Sequence, residues 1–228
     1  MFTIDDIKNL ISSGQLLAKT DDVIVSGVLT GTDGKQIPYS VHYGWDLVKS
    51  NQCDESWHQF NLRLMQWIDE QKFPEERLET VLQEIQVDDN HWEWFKKSLC
   101  YGGDEYHWFF LTIGGVPQAA CLLLHPKKSA LAEQDVFYIE FIAVAPWNRE
   151  NPMEPRAFKG LGSLIIKSVI NFGVNNLSFG HGFSLHALPR AVEFYIKIGM
   201  HKVAAYDKGT LQYFEMPEDV AIEYAGIK

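Results

Sequence analysis

The stretch R156-A-F-K-G-L-G-S-L-I-I-K-S-V-I170 sets two glycines two apart and then begins an apolar run at helical spacing. Leu161, Leu164, Ile165, Val169 and Phe172 fall on one face, so a helix is expected that starts at the glycines and packs on a sheet. The first amides of a helix have no partner within it, and the aligned peptide dipoles add partial positive charge there. Gly160 and Gly162 would admit a bulky anion to the amides of residues 159 to 163. Lys159 and Ser163 would add a charge and a hydroxyl.

A glycine pair alone also fits tight helix–strand packing, so its surroundings must decide. A dinucleotide-binding turn requires G-x-G-x-x-G, but position 165 is Ile, and a phosphate loop requires Lys followed by Ser or Thr, absent here and at Gly34-Lys35-Gln36. Upstream, V136-F-Y-I-E-F-I-A-V-A-P146 is apolar on both faces, as a central strand covered on two sides should be. Before it, W108-F-F-L-T-I113 and V116-P-Q-A-A-C-L-L-L124 flank Gly114-Gly115, a two-residue hairpin loop. Downstream come the strand G182-F-S-L-H-A-L188, a helix over P189-R-A-V-E-F-Y-I-K-I-G199 and a last hairpin within residues 202 to 216.

These parts resemble the GCN5-related N-acetyltransferases, GNAT proteins. In that family a strand of the type E140-F-I-A-V-A-P146 leads into R/Q-x-x-G-x-G/A, and a later unit ends in a stretch like A191-V-E-F-Y-I-K-I-G-M200. Both occur here in the family's order, and the resemblance covers roughly residues 105 to 216. It implies an α+β fold: a mixed, mostly antiparallel sheet flanked by helices and splayed after the central strand. It also implies that acetyl-CoA is the co-substrate, its pyrophosphate gripped by Lys159, Gly160, Leu161, Gly162 and Ser163. Main-chain groups of Ile142, Ala143 and Val144 would then hold the pantetheine arm and thioester. Ala157 stands where the family has Arg or Gln, and Arg156 lies one place earlier, so its phosphate contact is open. Tyr195 falls on the tyrosine that protonates the departing sulfur.

Glu140 interrupts an apolar strand, and alternation puts it on one face with Tyr138 and Ile142. Burial would raise its pKa toward that of a useful base. The alternatives are a carboxylate facing a solvated cleft or one held in an ion pair. His186 is a second candidate base, and a histidine satisfied by a backbone carbonyl is its alternative.

Residues 46–228 are read as the acetyltransferase domain and 1–45 as an N-terminal elaboration: a helix over 3–18 and a hairpin turning at Thr32-Asp33-Gly34. From 54 to 97 the pattern is helical, broken at Lys72-Phe73-Pro74. The formal charge of -10 argues against a nucleic-acid binder and fits a cationic acceptor weakly. No apolar run is long enough for a membrane span and no signal segment is legible, so a cytoplasmic protein is expected. Cys53, Cys100 and Cys121 have no metal spacing, and neither do the eight histidines. The expected reaction is direct transfer to an amine-bearing small molecule or peptide. A noncatalytic acyl-CoA-binding module is the alternative, and a homodimer is among the expectations because dimers are common in the resembled family.

Overall fold

Gly114 and Gly115 both take left-handed backbone angles, φ 57 and 80, and reverse the chain between strands β3 (Tyr106–Ile113) and β4 (Val116–Lys128). Around that hairpin the computed structural model, described for residues 3–31 and 34–227, forms one eight-stranded sheet in the order β1-β2-β3-β4-β5-β6-β8-β7. The remaining strands are β1 (Val23–Thr30), β2 (Gln36–Tyr43), β5 (Asp135–Val144), β6 (Phe183–Ala187), β7 (His201–Lys202) and β8 (Gln212–Met216). Among the described residues only β5 and β6 run parallel. Thr32 and Asp33 of the expected turn lie outside the described residues, but β1 and β2 pair as an antiparallel hairpin.

One face of the sheet carries helices α2 (Leu47–Gln71), α3 (Glu75–Glu84) and α4 (Trp94–Cys100). The other carries α5 (Leu161–Leu177) and α7 (Glu218–Ala225). Asp46 caps α2 by accepting from the amides of Val48 and Lys49, and Lys72, left-handed at φ 48, ends it before Pro74. Trp57, Phe60, Leu64 and Ile68 of α2 recur every three or four residues and are buried. Helix α1 is shorter than expected, Ile4–Ser12, because Gly14 turns left-handed after it. The last hairpin is also shorter, since Ala204–Tyr206 coils into a 3-10 turn and leaves β7 two residues.

The N-terminal strands belong to the same sheet, with Ser40 through Tyr43 paired to Thr112 through Phe109. Below them lies a buried polar cluster. Lys49 Nζ donates to Asp22 and Asp46, both at 2.9 Å, and to the Lys19 carbonyl at 2.7 Å, while His42 joins Asp22 to the Thr112 hydroxyl. Burial alone would raise the Asp22 carboxyl, but Lys49 and His42 outweigh it and hold it below its ordinary value.

Two irregularities of β5 shape everything downstream. Leu122 pairs with Phe141 but Leu123 with Ile139, so Glu140 is the extra residue of a bulge. Phe137 and Ile139 pack on the α5 side, whereas Phe141 and Ala143 pack on the α2 side, which shows the alternation flipping at Glu140. The second irregularity is that β6 pairs with β5 only from Phe137 to Ile139, so the two strands part beyond that point.

Candidate active site

The N-terminus of α5 opens into the gap left by the parting strands. Its N-cap residue is Gly160, left-handed at φ 79, with no side chain bonded to the helix amides, and the first amide to find a carbonyl in the helix is that of Leu164, 2.9 Å from Gly160 O. The amides of Leu161, Gly162 and Ser163 are therefore exposed as donors. A Cβ at Gly160 would meet nothing within 4 Å, so the left-handed backbone requires this glycine rather than crowding. At Gly162 a Cβ would lie 3.7 Å from the Phe194 ring, an ordinary contact.

One cavity of about 290 Å³ is lined by Ile142, Ala143 and Val144 of β5, Arg156, Gly160 through Ser163, and Tyr195 of α6 (Val192–Lys197). Nine of the twelve residues singled out in the sequence thus border a common space. Lys159 is exposed and does not line it, and neither Glu140 nor His186 does.

The bond from Ala145 N to Gln118 O at 2.8 Å sets the alternation of β5 against β4. Ala143 accordingly turns its main-chain groups to β4, and those of Ile142 and Val144 turn toward the gap. The Val144 carbonyl, expected to be free for a ligand, is taken: Arg149 donates to it from Nε at 3.0 Å and from Nη2 at 2.7 Å. Arg149 also grips Asp89 bidentately, both contacts at 2.5 Å. The other two arginines of the cavity have partners too, Arg156 with Glu150 at 2.6 Å and Arg190 with Asp88 at 2.7 Å.

Tyr195 is buried among Phe194 and Phe214, and burial pushes its phenol well above the ordinary value, so the hydroxyl stays protonated. No hydrogen bond to that hydroxyl is present among the described residues, although it borders the cavity.

Glu140 is half-buried in its bulge, and desolvation raises its carboxyl despite the fields of Lys208, Lys127 and Lys97. The expected shared face with Ile142 is corrected: Ile142 packs with the α5 core because the bulge reverses the alternation. His186 has both ring nitrogens engaged. Nε2 lies 2.9 Å from the Tyr206 carbonyl and must donate to it, so Nδ1 accepts from the Tyr138 hydroxyl at 2.5 Å. Burial also lowers its pKa, leaving a neutral ring with no lone pair to spare.

Arg149, Asp89 and Arg190 were not singled out from the sequence. Arg149 lies in the polar loop W147-N-R-E-N-P-M-E-P-R156, and its partner is 60 residues away. Asp89 and Arg149 also form the wall shared with a second cavity of about 470 Å³ between α2 and residues 89–94.

No family model matches the chain, and no curated protein does. Solved structures do match. An uncharacterized protein from Bacillus halodurans aligns over 90% of this chain and 96% of its own, at TM-score 0.51 and 11% identity. The GNAT domain of S. lividans PAT aligns over 84% and 96%, at TM-score 0.50 and 10% identity. The PaiA N-acetyltransferase of Thermoplasma acidophilum, solved with coenzyme A, aligns over 77% and 98%, at TM-score 0.45 and 9% identity. Among the described residues no helix is long and apolar enough to cross a membrane. With its mostly antiparallel sheet, parted central strands and glycine-led helix, the chain has the GNAT fold.

Proposed function

We propose that the protein transfers an acetyl group from acetyl-CoA directly to a primary amine of a small molecule or peptide. The observation that carries this reading is the single cavity joining the uncapped start of α5, the unpaired edge of β5 and the Tyr195 hydroxyl. The amides of Leu161, Gly162 and Ser163 would hold the diphosphate, and the gap-facing groups of Ile142 and Val144 would orient the pantetheine arm. Bound there, acetyl-CoA supplies the acetyl group as a thioester, an activated electrophile with a thiolate as leaving group.

The chain's own part is proton management. Glu140, as carboxylate, would take a proton from the incoming ammonium, directly or through water, so that the amine attacks with a free lone pair. The Val144 amide, turned into the gap, would stabilise negative charge developing on the carbonyl oxygen. Once the C–N bond has formed, Tyr195 would give its proton to the sulfur as the C–S bond breaks. The proton that the acylated nitrogen then loses would restore the phenol, directly or through water, while Glu140 returns its own proton to solvent. The engaged nitrogens of His186 make it a positioning residue for Tyr138 and the turn at Tyr206 rather than a base.

Thiol release from acetyl-CoA over a panel of amines tests this. Tyr195→Phe should lower kcat by about 10² to 10⁴, the usual weight of a general acid, with CoA affinity unchanged. No CoA binding at millimolar concentration would end the reading. The pairing of every arginine in the cavity favours a second one, a noncatalytic acyl-CoA module, because each guanidinium lining it is already held by a carboxylate. CoA binding without thiol release for any amine would select it.

A further inference from the structure

Glu140 does not stand alone on its face of the sheet. Lys97 of α4 holds its ammonium 3.5 Å from the centroid of the Phe141 ring and 5.3 Å from that of Trp92. Lys127 of β4 lies 5.5 Å from the centroid of Tyr138, two residues before Glu140. Lys208 sits in the turn closed by reciprocal 2.9 Å bonds with Leu211. That turn follows Tyr206, whose carbonyl is fastened to His186 opposite Tyr138. All three lysines act on the Glu140 carboxyl, each favouring its ionised form.

Four other lysines have carboxylate partners: Lys49 with Asp22 and Asp46, Lys96 with Glu93, Lys128 with Asp135, Lys202 with Asp207. Among the described residues Lys97, Lys127 and Lys208 form no such ion pair. The nearby Asp207 is already occupied, accepting from the Tyr213 amide at 2.8 Å and lying 3.8 Å from Lys202. The fields of three cations therefore act on one carboxylate, beside an aromatic wall of Trp92, Tyr101, Tyr106 and Phe141 in which neighbouring rings lie 5.0 to 5.7 Å apart. Lys97 is half-buried and its ammonium is destabilised chiefly by that burial, a cost that the nearby Asp54, Cys100, Glu93 and Glu140 only partly offset.

We propose that the acceptor carries a carboxylate as well as its amine, the amine directed to Glu140 and the carboxylate to Lys97, Lys127 and Lys208. This rests on the acetyltransferase reading and narrows its substrate to amino acids and similar zwitterions. The overall charge of -10 points the other way, toward a polyamine or basic peptide. Charge averaged over the chain does not govern this face: a polycation would meet three like charges at short range, where solvent screening is weakest.

The test uses the full chain and matched pairs, phenylalanine against phenylalaninamide and glutamate against its bis-amide, with spermidine and phosphoethanolamine alongside. The acids should exceed their amides in kcat/KM by about tenfold, the size of one or two partly exposed ion pairs, and Lys127→Gln/Lys208→Gln should erase the preference. Binding of N-acetylphenylalanine and its amide in the presence of CoA, read by quenching of tryptophan fluorescence, provides a measurement that needs no turnover. A tenfold preference for the acid there supports the proposal even if no thiol is released, in which case only the catalytic reading fails. Equal binding of acid and amide, faster turnover of spermidine, or preference for phosphoethanolamine over every carboxylate overturns it.

Discussion

Replacing Arg149 by Met should be among the most damaging single changes near the cavity. Arg149 and Asp89 are each only 10% exposed at the side chain. Beyond the two 2.5 Å contacts with Asp89, the guanidinium satisfies the carbonyls of Val144 and of Gln86, the latter at 3.1 Å. Met fills much the same volume but leaves a carboxylate without its counterion and two carbonyls without these donors. Breaking a buried pair from one side costs about 3 to 5 kcal/mol. Cavities on both sides of this wall allow water to reach Asp89, which favours the low end, about 3 kcal/mol. For a chain of this length that corresponds to a fall in Tm of about 6 to 12 °C. Adding Asp89→Leu removes the stranded charge, so the double variant should recover most of the loss. Thermal unfolding of the four proteins of the cycle, followed by circular dichroism, measures both effects. A fall of less than about 2 °C for Arg149→Met, or a double variant no better than the single, would refute the view that this pair is a desolvated charge wall.

Three further outcomes are expected. Because the fold raises Glu140, folding takes up a proton there: its favourable contribution is complete below the ordinary carboxylate pKa and disappears as pH climbs through the raised value. Glu140→Gln should thus gain stability on the wild type above that window. It should also abolish the limb on which wild-type kcat/KM rises with pH, and a limb unchanged in Glu140→Gln would exclude this residue as the base. His186→Phe should cost about 1 to 2 kcal/mol in urea unfolding from its two lost hydrogen bonds, yet leave that pH limb in place. Gly160→Ala should cost about 1 kcal/mol through its left-handed backbone, whereas Gly162→Ala, inside the helix with room for a Cβ, should not lower Tm.

The helix start at Gly160, the hairpin at Gly114-Gly115 and the two-sided burial of β5 are legible in the sequence because each has a local chemical cause. Left-handed turns need glycine, and a strand covered on both faces is apolar throughout. The bulge at Glu140 has no such mark. It comes from pairing with Leu122 and Leu123 of another strand, so simple alternation assigned Ile142 to the wrong face. Arg149 was hidden for the same reason, since a charged residue in a polar loop gives no sign that a carboxylate distant in sequence will fold against it. His186 was legible as titratable, but its loss of both lone-pair and proton freedom depends on Tyr138 and a turn twenty residues on.

The ammonium of Lys49 carries a consequence for any shortened version of this chain. It is sealed in by Lys19 and Asp22, contributed from before the first strand, as much as by Asp46 at the foot of its own helix. Removing residues 1–45 would strip two of its three acceptors and uncover the flank of β3 now paired with β2. A viable abbreviation would have to exchange that lysine for a greasy side chain and blunt the newly bared strand in the same stroke.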